Sequence, residues 1–342
     1  RLGRCDGGRR DLAPGAANLM RAVMCSAWGG PELLTVQEIP APLAKPGDVV
    51  VKIRAAGVNF PDVLMIQKKY QVQPELPFTP GAEISGDVMA VGEGVTALQV
   101  GDRVAALCSL GGFAEAVAVD AAKCVKIPGA LSYDIAAGFM LAYGTSWHAV
   151  RDRGALQPNE TMLVLGAAGG VGLAAVEIGK AIGAKVVAAA SSDEKCEICR
   201  VHGADEVINY STEDLREGIK RTCGRGPDVI YDPVGGKYTE SAFRSIGWRG
   251  RHLIIGFAAG DIPALPLNLA LLKGASLVGV FWGDFARREP QNNMKGMAEM
   301  QGWMAQGKIK PLISKTYSLD DVPQALLDMA ARKVTGKIVV RP

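Results

Sequence analysis

The chain has no run of roughly 18 apolar residues, the least that would cross a bilayer. Asn268 and Lys273 break its most hydrophobic region, so no membrane span or membrane partner is expected and the chain reads as soluble. It also lacks a strong charge of either sign. Lys and Arg total 38 against 35 Asp and Glu, a formal net charge of +3, with a sequence pI near 8.4. Without a basic cluster in the body of the chain, so small an excess gives no footprint for a phosphate backbone, and nucleic acid is not expected as a partner. A disulfide framework is missing too: the 7 cysteines are an odd number scattered over a long chain, which favours a reducing compartment. Cys196 and Cys199 have the spacing of a metal or redox pair. They stand in a charged helical segment with no second pair nearby, and read as two helix residues. The 3 histidines have no triad context.

What is present suits a globular protein of two domains: 342 residues, 48% hydrophobic and 21% charged. The 42 glycines gather at turns such as Gly111-Gly112, Gly169-Gly170 and Gly235-Gly236, where positive φ or close backbone approach calls for them. Residues 1–19 are rich in Arg, Gly and Ala without hydrophobic periodicity, and are expected to be a disordered leader outside the fold. Two readings stay open: a bland leader on a cytoplasmic protein, or the end of a mitochondrial presequence.

From Met20 the pattern is of short β-rich runs bounded by Pro, Gly and Asp: Leu33–Ile39, Asp48–Ala56, Ile84–Val91, Arg103–Cys108 and Gly112–Val119. Residues 131–151 read as helical. Beyond Thr161 the rhythm becomes strand, glycine turn, helix. The strands expected there are Thr161–Leu165, Lys185–Ala190, Glu206–Asn209, Asp228–Tyr231, Arg251–Ile255 and Ser276–Val280. Such alternation requires right-handed crossovers and a parallel sheet covered on both faces. The expected fold is therefore α/β, with a doubly wound parallel (Rossmann) cofactor domain. After Phe281 come amphipathic helices, Asn292–Gln306 and Leu319–Arg332, and a last strand, Lys337–Val340. This tail is expected to rejoin the first, mostly-β module, leaving that domain discontinuous: 20–143 with 284–342, around a cofactor domain at 144–283.

The sharpest motif is Thr161-Met-Leu-Val-Leu-Gly166-Ala-Ala-Gly169-Gly170-Val171-Gly172, a buried strand running into a glycine turn and an Ala-rich helix. A turn without side chains lets backbone N–H groups approach a pyrophosphate, and the helix N-terminus adds partial positive charge. The next strand bears on which dinucleotide is bound. NAD-selective proteins end it with a carboxylate for the ribose 2′-OH. Here Lys185–Ala190 ends apolar and is followed by Ser191, Ser192, Asp193, Glu194 and Lys195, so that two hydroxyls and an ammonium suit a 2′-phosphate. NADPH is the expected cofactor. The competing reading of Lys195 is a solvated helix residue paired with Asp193 or Glu194.

With these residues the chain resembles the medium-chain dehydrogenase/reductases, and within them the zinc-independent NADPH:quinone oxidoreductases related to zeta-crystallin. The resemblance runs from Met20 to Pro342. It rests on Ala56-Gly57-Val58-Asn59-Phe60-Pro61-Asp62, Pro77-Phe-Thr-Pro80-Gly81-Ala82-Glu83, Gly101-Asp102-Arg103-Val104, Tyr143-Gly144-Thr145, the glycine turn, Asp232-Pro-Val-Gly235-Gly236 and Thr335-Gly336-Lys337. It implies a GroES-like first domain. The zinc-dependent branch of the family carries a Cys ligand near Asn59, a His at Ala82 and a run of structural cysteines, which this chain lacks. The resemblance therefore implies no metal, and without a Lewis acid simple alcohol oxidation is disfavoured.

It further implies that Asn59, Phe60, Asp62 and Leu64 line the nicotinamide side of a cleft, with Asn59 as a catalytic residue. Gly169, Gly170, Val171 and Gly172 would hold the diphosphate. Ser191, Ser192, Lys195 and Tyr210 would surround the adenosine phosphate, with Arg332 reaching it. Gly256, Phe257, Val280 and Phe281 would follow the cofactor along later strand ends, with Thr145 nearby. Tyr70, eleven residues after Asn59, resembles the proton-donor tyrosine of enoyl-thioester reductases, and is equally a loop tyrosine shaping the cleft. Three functions follow: NADPH-dependent reduction of a quinone or activated alkene, enoyl-thioester reduction with Tyr70 as donor, or non-catalytic NADPH binding. The resemblance also implies a homodimer, in which the apolar strand Ser276–Val280, an unprotected edge in a monomer, would pair with its counterpart.

Overall fold

The structure, a computed structural model, describes residues 18–342. The leader expected at 1–19 lies outside the described residues except for Asn18 and Leu19, and Leu19 already opens a strand, Leu19–Met24, antiparallel to Thr35–Pro40.

One sheet is six-stranded and wholly parallel. Its spatial order is Glu206–Asn209, Lys185–Ala190, Thr161–Leu165, Val229–Asp232, Arg251–Ile254, Ser276–Gly279. The chain winds outward from Thr161–Leu165 in one direction and then, starting at Val229–Asp232, in the other. The crevice between those two strands is thus the switch point where such sheets bind ligands. The alternation of side chains explains why both faces are covered: Met162 and Val164 pack into one core with helix Gly170–Ile182, while Leu163 and Leu165 enter another with helices Leu215–Cys223 and Lys237–Arg244.

The second large sheet has seven strands. Its path runs Ile313–Ser318, Lys337–Arg341, Asp48–Gly57, Glu83–Val91, Arg103–Leu107, Cys124–Lys126, and Ala116–Asp120 pairs separately with Asp48–Gly57. The tail joins it directly. Lys337–Arg341 lies antiparallel to Asp48–Gly57 through Val339–Gly57 and Val340–Ala56, and Ile313–Ser318 runs parallel outside it.

Several elements differ from the expected ones. The helical stretch at 131–151 is broken into Tyr133–Ala137, Met140–Trp147 and a wider π-helical turn, His148–Arg153. The strand expected from Gly112 begins at Ala116, because Gly111 adopts φ +91° and Gly112 packs against the Gly81 backbone. Helices Phe60–Ile66 and Trp282–Arg288 were not apparent in the pattern.

Candidate active site

The walls of the crevice come from both sheets. Strand Thr161–Leu165 ends at Gly166, whose φ of +58° turns the chain back, and Gly169 then starts helix Gly170–Ile182. A Cβ on Gly172 would stand 2.4 Å from the Gly166 carbonyl oxygen, so only glycine lets the helix sit this tightly on its turn. The first-turn N–H groups have no acceptor within the helix, and Gly169, Gly170 and Val171 form the floor of a cleft of about 330 Å³.

At one end of this cleft are Ser191, Lys195, Tyr210 and Arg332. The Lys195 ammonium pairs with neither Asp193 nor Glu194. It donates to Ser191 Oγ at 3.2 Å and to the Arg332 carbonyl at 2.9 Å, while Asp193 accepts from Asn209 Nδ2 at 2.8 Å. Ser192 does not reach the wall: its hydroxyl caps helix Asp193–Val201 by accepting from the Lys195 N–H at 3.3 Å. Tyr210 packs against Tyr238 with ring centroids 4.8 Å apart, and burial raises its phenol pKa.

At the other end lie Asn59, Phe60 and Lys337. Lys337 is buried at the start of the last strand. Its ammonium donates to the Val58 carbonyl at 3.0 Å and to Asn59 Oδ1 at 2.5 Å, and approaches Glu83 Oε2 at 3.5 Å. Asn59 Nδ2 donates to Glu83 Oε2 at 3.2 Å and to the Gly57 carbonyl at 3.3 Å. Glu83 has no exposed surface, and its second oxygen accepts from the Leu141 N–H at 2.9 Å. A Cβ on Gly57 would fall 2.8 Å from Glu83 Oε2 and 2.2 Å from the Ala137 carbonyl oxygen, so this glycine makes room for the carboxylate. The Asn59 carboxamide is therefore committed to the protein on both its oxygen and its nitrogen.

Asp62 sits behind this cluster, off the cleft wall and buried. One oxygen accepts from the Asn59 N–H at 2.8 Å, and the other has no hydrogen-bond partner among the described residues. Burial raises its pKa to about 7 against the lesser pull of the Asn59 N–H and the Lys337 charge.

Of the residues expected at the site, Asn59, Phe60, Gly169, Gly170, Val171, Ser191, Lys195, Tyr210 and Arg332 meet on one cleft. The others lie off its wall. Leu64 follows Asp62 in helix Phe60–Ile66. Tyr70 packs half-buried against the core of the mostly-β module, its pKa raised by burial and by Asp62. Thr145 lies in helix Met140–Trp147, and Gly172 is under the turn. Gly256 stands behind Pro233, the Phe257 ring abuts Gly235, Val280 belongs to the core and Phe281 is exposed. The expectation did not include Lys337, Glu83, Pro233, Tyr238, Met329 or Gly336. The first two do stand in the motifs that carry the family resemblance, Pro77–Glu83 and Thr335–Lys337, but nothing in those motifs marks them as partners.

The fold and the cleft define a medium-chain dehydrogenase/reductase. Residues 45–129 match the alcohol dehydrogenase GroES-like domain, and residues 170–300 match a domain described as zinc-binding dehydrogenase. Quinone oxidoreductase-like protein 2 of Mus musculus is 38% identical over 333 residues, which are 97% of this chain and 95% of that protein. The quinone oxidoreductase of Pseudomonas syringae superposes with a TM-score of 0.88 at 33% identity, covering 94% of this chain and 100% of its own. That of Escherichia coli, solved in complex with NADPH, gives 0.88 at 29% identity with the same coverage. The chain belongs to the quinone oxidoreductase family of the medium-chain dehydrogenase/reductases.

Proposed function

We propose that this chain is an NADPH-dependent oxidoreductase that delivers a hydride directly to a quinone or an activated alkene, without zinc. The observation that carries the reading is the glycine floor of the cleft, with a helix N-terminus at its centre and Lys195 and Arg332 at one end. The residues fit the cofactor. The turn leaves space for a diphosphate to approach the backbone, since nothing but the Gly166 carbonyl lies within 4 Å of a Cβ built on Gly169. The Lys195 ammonium has three N–H groups and uses two, leaving one for a phosphate oxygen. No carboxylate closes the end of strand Lys185–Ala190.

Bound NADPH supplies the hydride, so a quinone takes up two electrons and one proton in that step and the second proton from solvent, giving hydroquinone and NADP⁺. The protein orients, excludes water and fixes charge. Asn59, its carboxamide locked between Lys337 and Glu83, shapes the far end of the cleft and positions what lies against it. The same geometry supports zinc independence. Where the zinc branch places a cysteine this chain has a carboxamide whose oxygen and nitrogen are both already bonded, to Lys337 and to Glu83, so it offers no free ligand atom to a metal. Tyr70 does not favour the thioester reading. It is off the cleft wall, and its raised pKa makes it a weaker acid.

A homodimer is part of the proposal. Among the described residues the outer strand Ser276–Gly279 has an unpaired edge, and just before it in sequence Leu267, Leu271 and Leu272 are 77%, 79% and 66% exposed. The function is tested by following NADPH oxidation with 9,10-phenanthrenequinone and with crotonyl-coenzyme A. Consumption with the quinone supports the reading, consumption with the thioester alone replaces it by thioester reduction, and consumption with neither leaves an NADPH-binding protein without this activity.

A further inference from the structure

The segment Arg332–Lys337 touches both ends of the cleft. It follows helix Val322–Ala330 and leads into strand Lys337–Arg341, which pairs with Asp48–Gly57 of the mostly-β module. Some of its attachments along the way reach the other domain, while the Lys337 N–H bonds the Leu312 carbonyl at 2.8 Å within its own. The Gly336 N–H donates to the Ala168 carbonyl at 2.7 Å, and Gly336 forms a parallel bridge with Gly169 of the glycine turn. At the upstream end, the Arg332 carbonyl accepts from the Lys195 ammonium at 2.9 Å. At the downstream end, the Lys337 ammonium holds Asn59 and the Val58 carbonyl.

Arg332 adopts φ +56°, in the left-handed region that a side chain other than glycine enters only when its surroundings hold it there. The helix cap accounts for that conformation: the Arg332 N–H bonds the Met329 carbonyl at 3.1 Å and the Lys333 N–H bonds the Asp328 carbonyl at 3.0 Å. The Arg332 carbonyl is aimed at Lys195. Among the described residues its ammonium otherwise contacts only Ser191 Oγ, from its own domain.

We propose that Lys195 is a positioning residue: by gripping the Arg332 carbonyl it holds Arg332–Lys337 as a strap across the cleft, and through Lys337 it sets the Asn59 carboxamide at the opposite end. The proposal rests on the cofactor reading above and adds a second role for the same ammonium. Lys195 ties the strap to its own domain, and its third N–H lets a phosphate join without releasing the strap.

The test uses Lys195→Met and Lys195→Arg in the full chain. In cofactor-free protein, hydrogen exchange at the Gly336 amide should be about tenfold faster in Lys195→Met and close to wild type in Lys195→Arg, because the strap's bond to Ala168 opens more often when its neighbour is untied. Unchanged exchange in Lys195→Met overturns the proposal. This arm contains no cofactor, so its failure is separate from a failure of the cofactor reading, which shows as absent NADPH binding in the wild-type preparation. In the second arm, with the quinone saturating and NADPH varied, the strap predicts a fall in kcat of about tenfold in Lys195→Met, ~1.4 kcal/mol, together with a raised KM for NADPH. A raised KM with kcat unchanged is the outcome of a phosphate-only lysine and overturns the proposal.

Discussion

The Lys337 ammonium and the Asn59 carboxamide oxygen are bonded at 2.5 Å across 278 positions of sequence, with the buried Glu83 carboxylate serving both. Removing one member leaves a buried charge uncompensated, which typically costs about 3–5 kcal/mol. Lys337→Met should therefore destabilise the protein by roughly that amount in urea unfolding. The double variant Lys337→Met with Glu83→Gln should recover part of the loss, because no bare carboxylate remains. Equal stability of the single variant and wild type would mean that the cluster is not held as described.

Asp62 gives a pH dependence of known sign. Its carboxyl is raised from the usual 3.8 to about 7 by burial, so between those values the folded state binds a proton that the unfolded state has lost. The stability this supplies is complete below pH 4 and is lost as pH rises through 7, amounting to as much as ~4 kcal/mol. Asp62→Asn keeps an acceptor for the Asn59 N–H and cannot ionise. Its stability relative to wild type should improve from pH 4.5 to pH 8, as read by urea unfolding at each pH. A constant difference would place the Asp62 pKa in the ordinary range.

The cofactor preference should move with one substitution. Ser191→Asp places a carboxylate just after the end of strand Lys185–Ala190, where a hydroxyl now stands beside the Lys195 ammonium. It should weaken NADPH binding by about a hundredfold or more, ~2.7 kcal/mol, while leaving NADH binding unchanged or tighter. Fluorescence titration with both cofactors reads the ratio.

Overlap at Gly172 gives a more local test. A methyl there meets the Gly166 carbonyl oxygen at 2.4 Å, so Gly172→Ala should cost about 1–3 kcal/mol of stability and most of the cofactor affinity. Thermal unfolding and calorimetry on the same sample check both.

Pairing of two copies through Ser276–Gly279 predicts a dimer by light scattering, and Leu271→Asp with Leu272→Asp should give a monomer. A monomeric wild type would remove the dimer from the account.

The parallel sheet was readable nearly residue by residue because strands covered on both faces must be continuous apolar runs, as Thr161–Leu165 and Lys185–Ala190 are. The glycine turn carried its chemistry in its spacing. Helix Phe60–Ile66 was hidden by its length of 7 residues and by Pro61 in its first turn, which together read as a turn. Strand Ile313–Ser318 is an edge strand with mostly polar, exposed side chains, so its period is faint. The far end of the cleft was the least legible part. A lysine reads as a surface residue, and the burial of Lys337 depends on a glutamate 254 positions away and on the room left by Gly57. The attachment of Lys195 to Arg332 likewise joins residues 137 positions apart, which no local pattern carries.

The central claim is that the amides around Gly169–Gly172 receive the diphosphate of NADPH. Isothermal titration of the purified chain with NADPH tests it most directly. The account predicts one saturable site per chain, with NADPH bound at least about tenfold more tightly than NADH, a difference of ~1.4 kcal/mol. Folded protein that takes up neither NADPH nor NADP⁺ would contradict it.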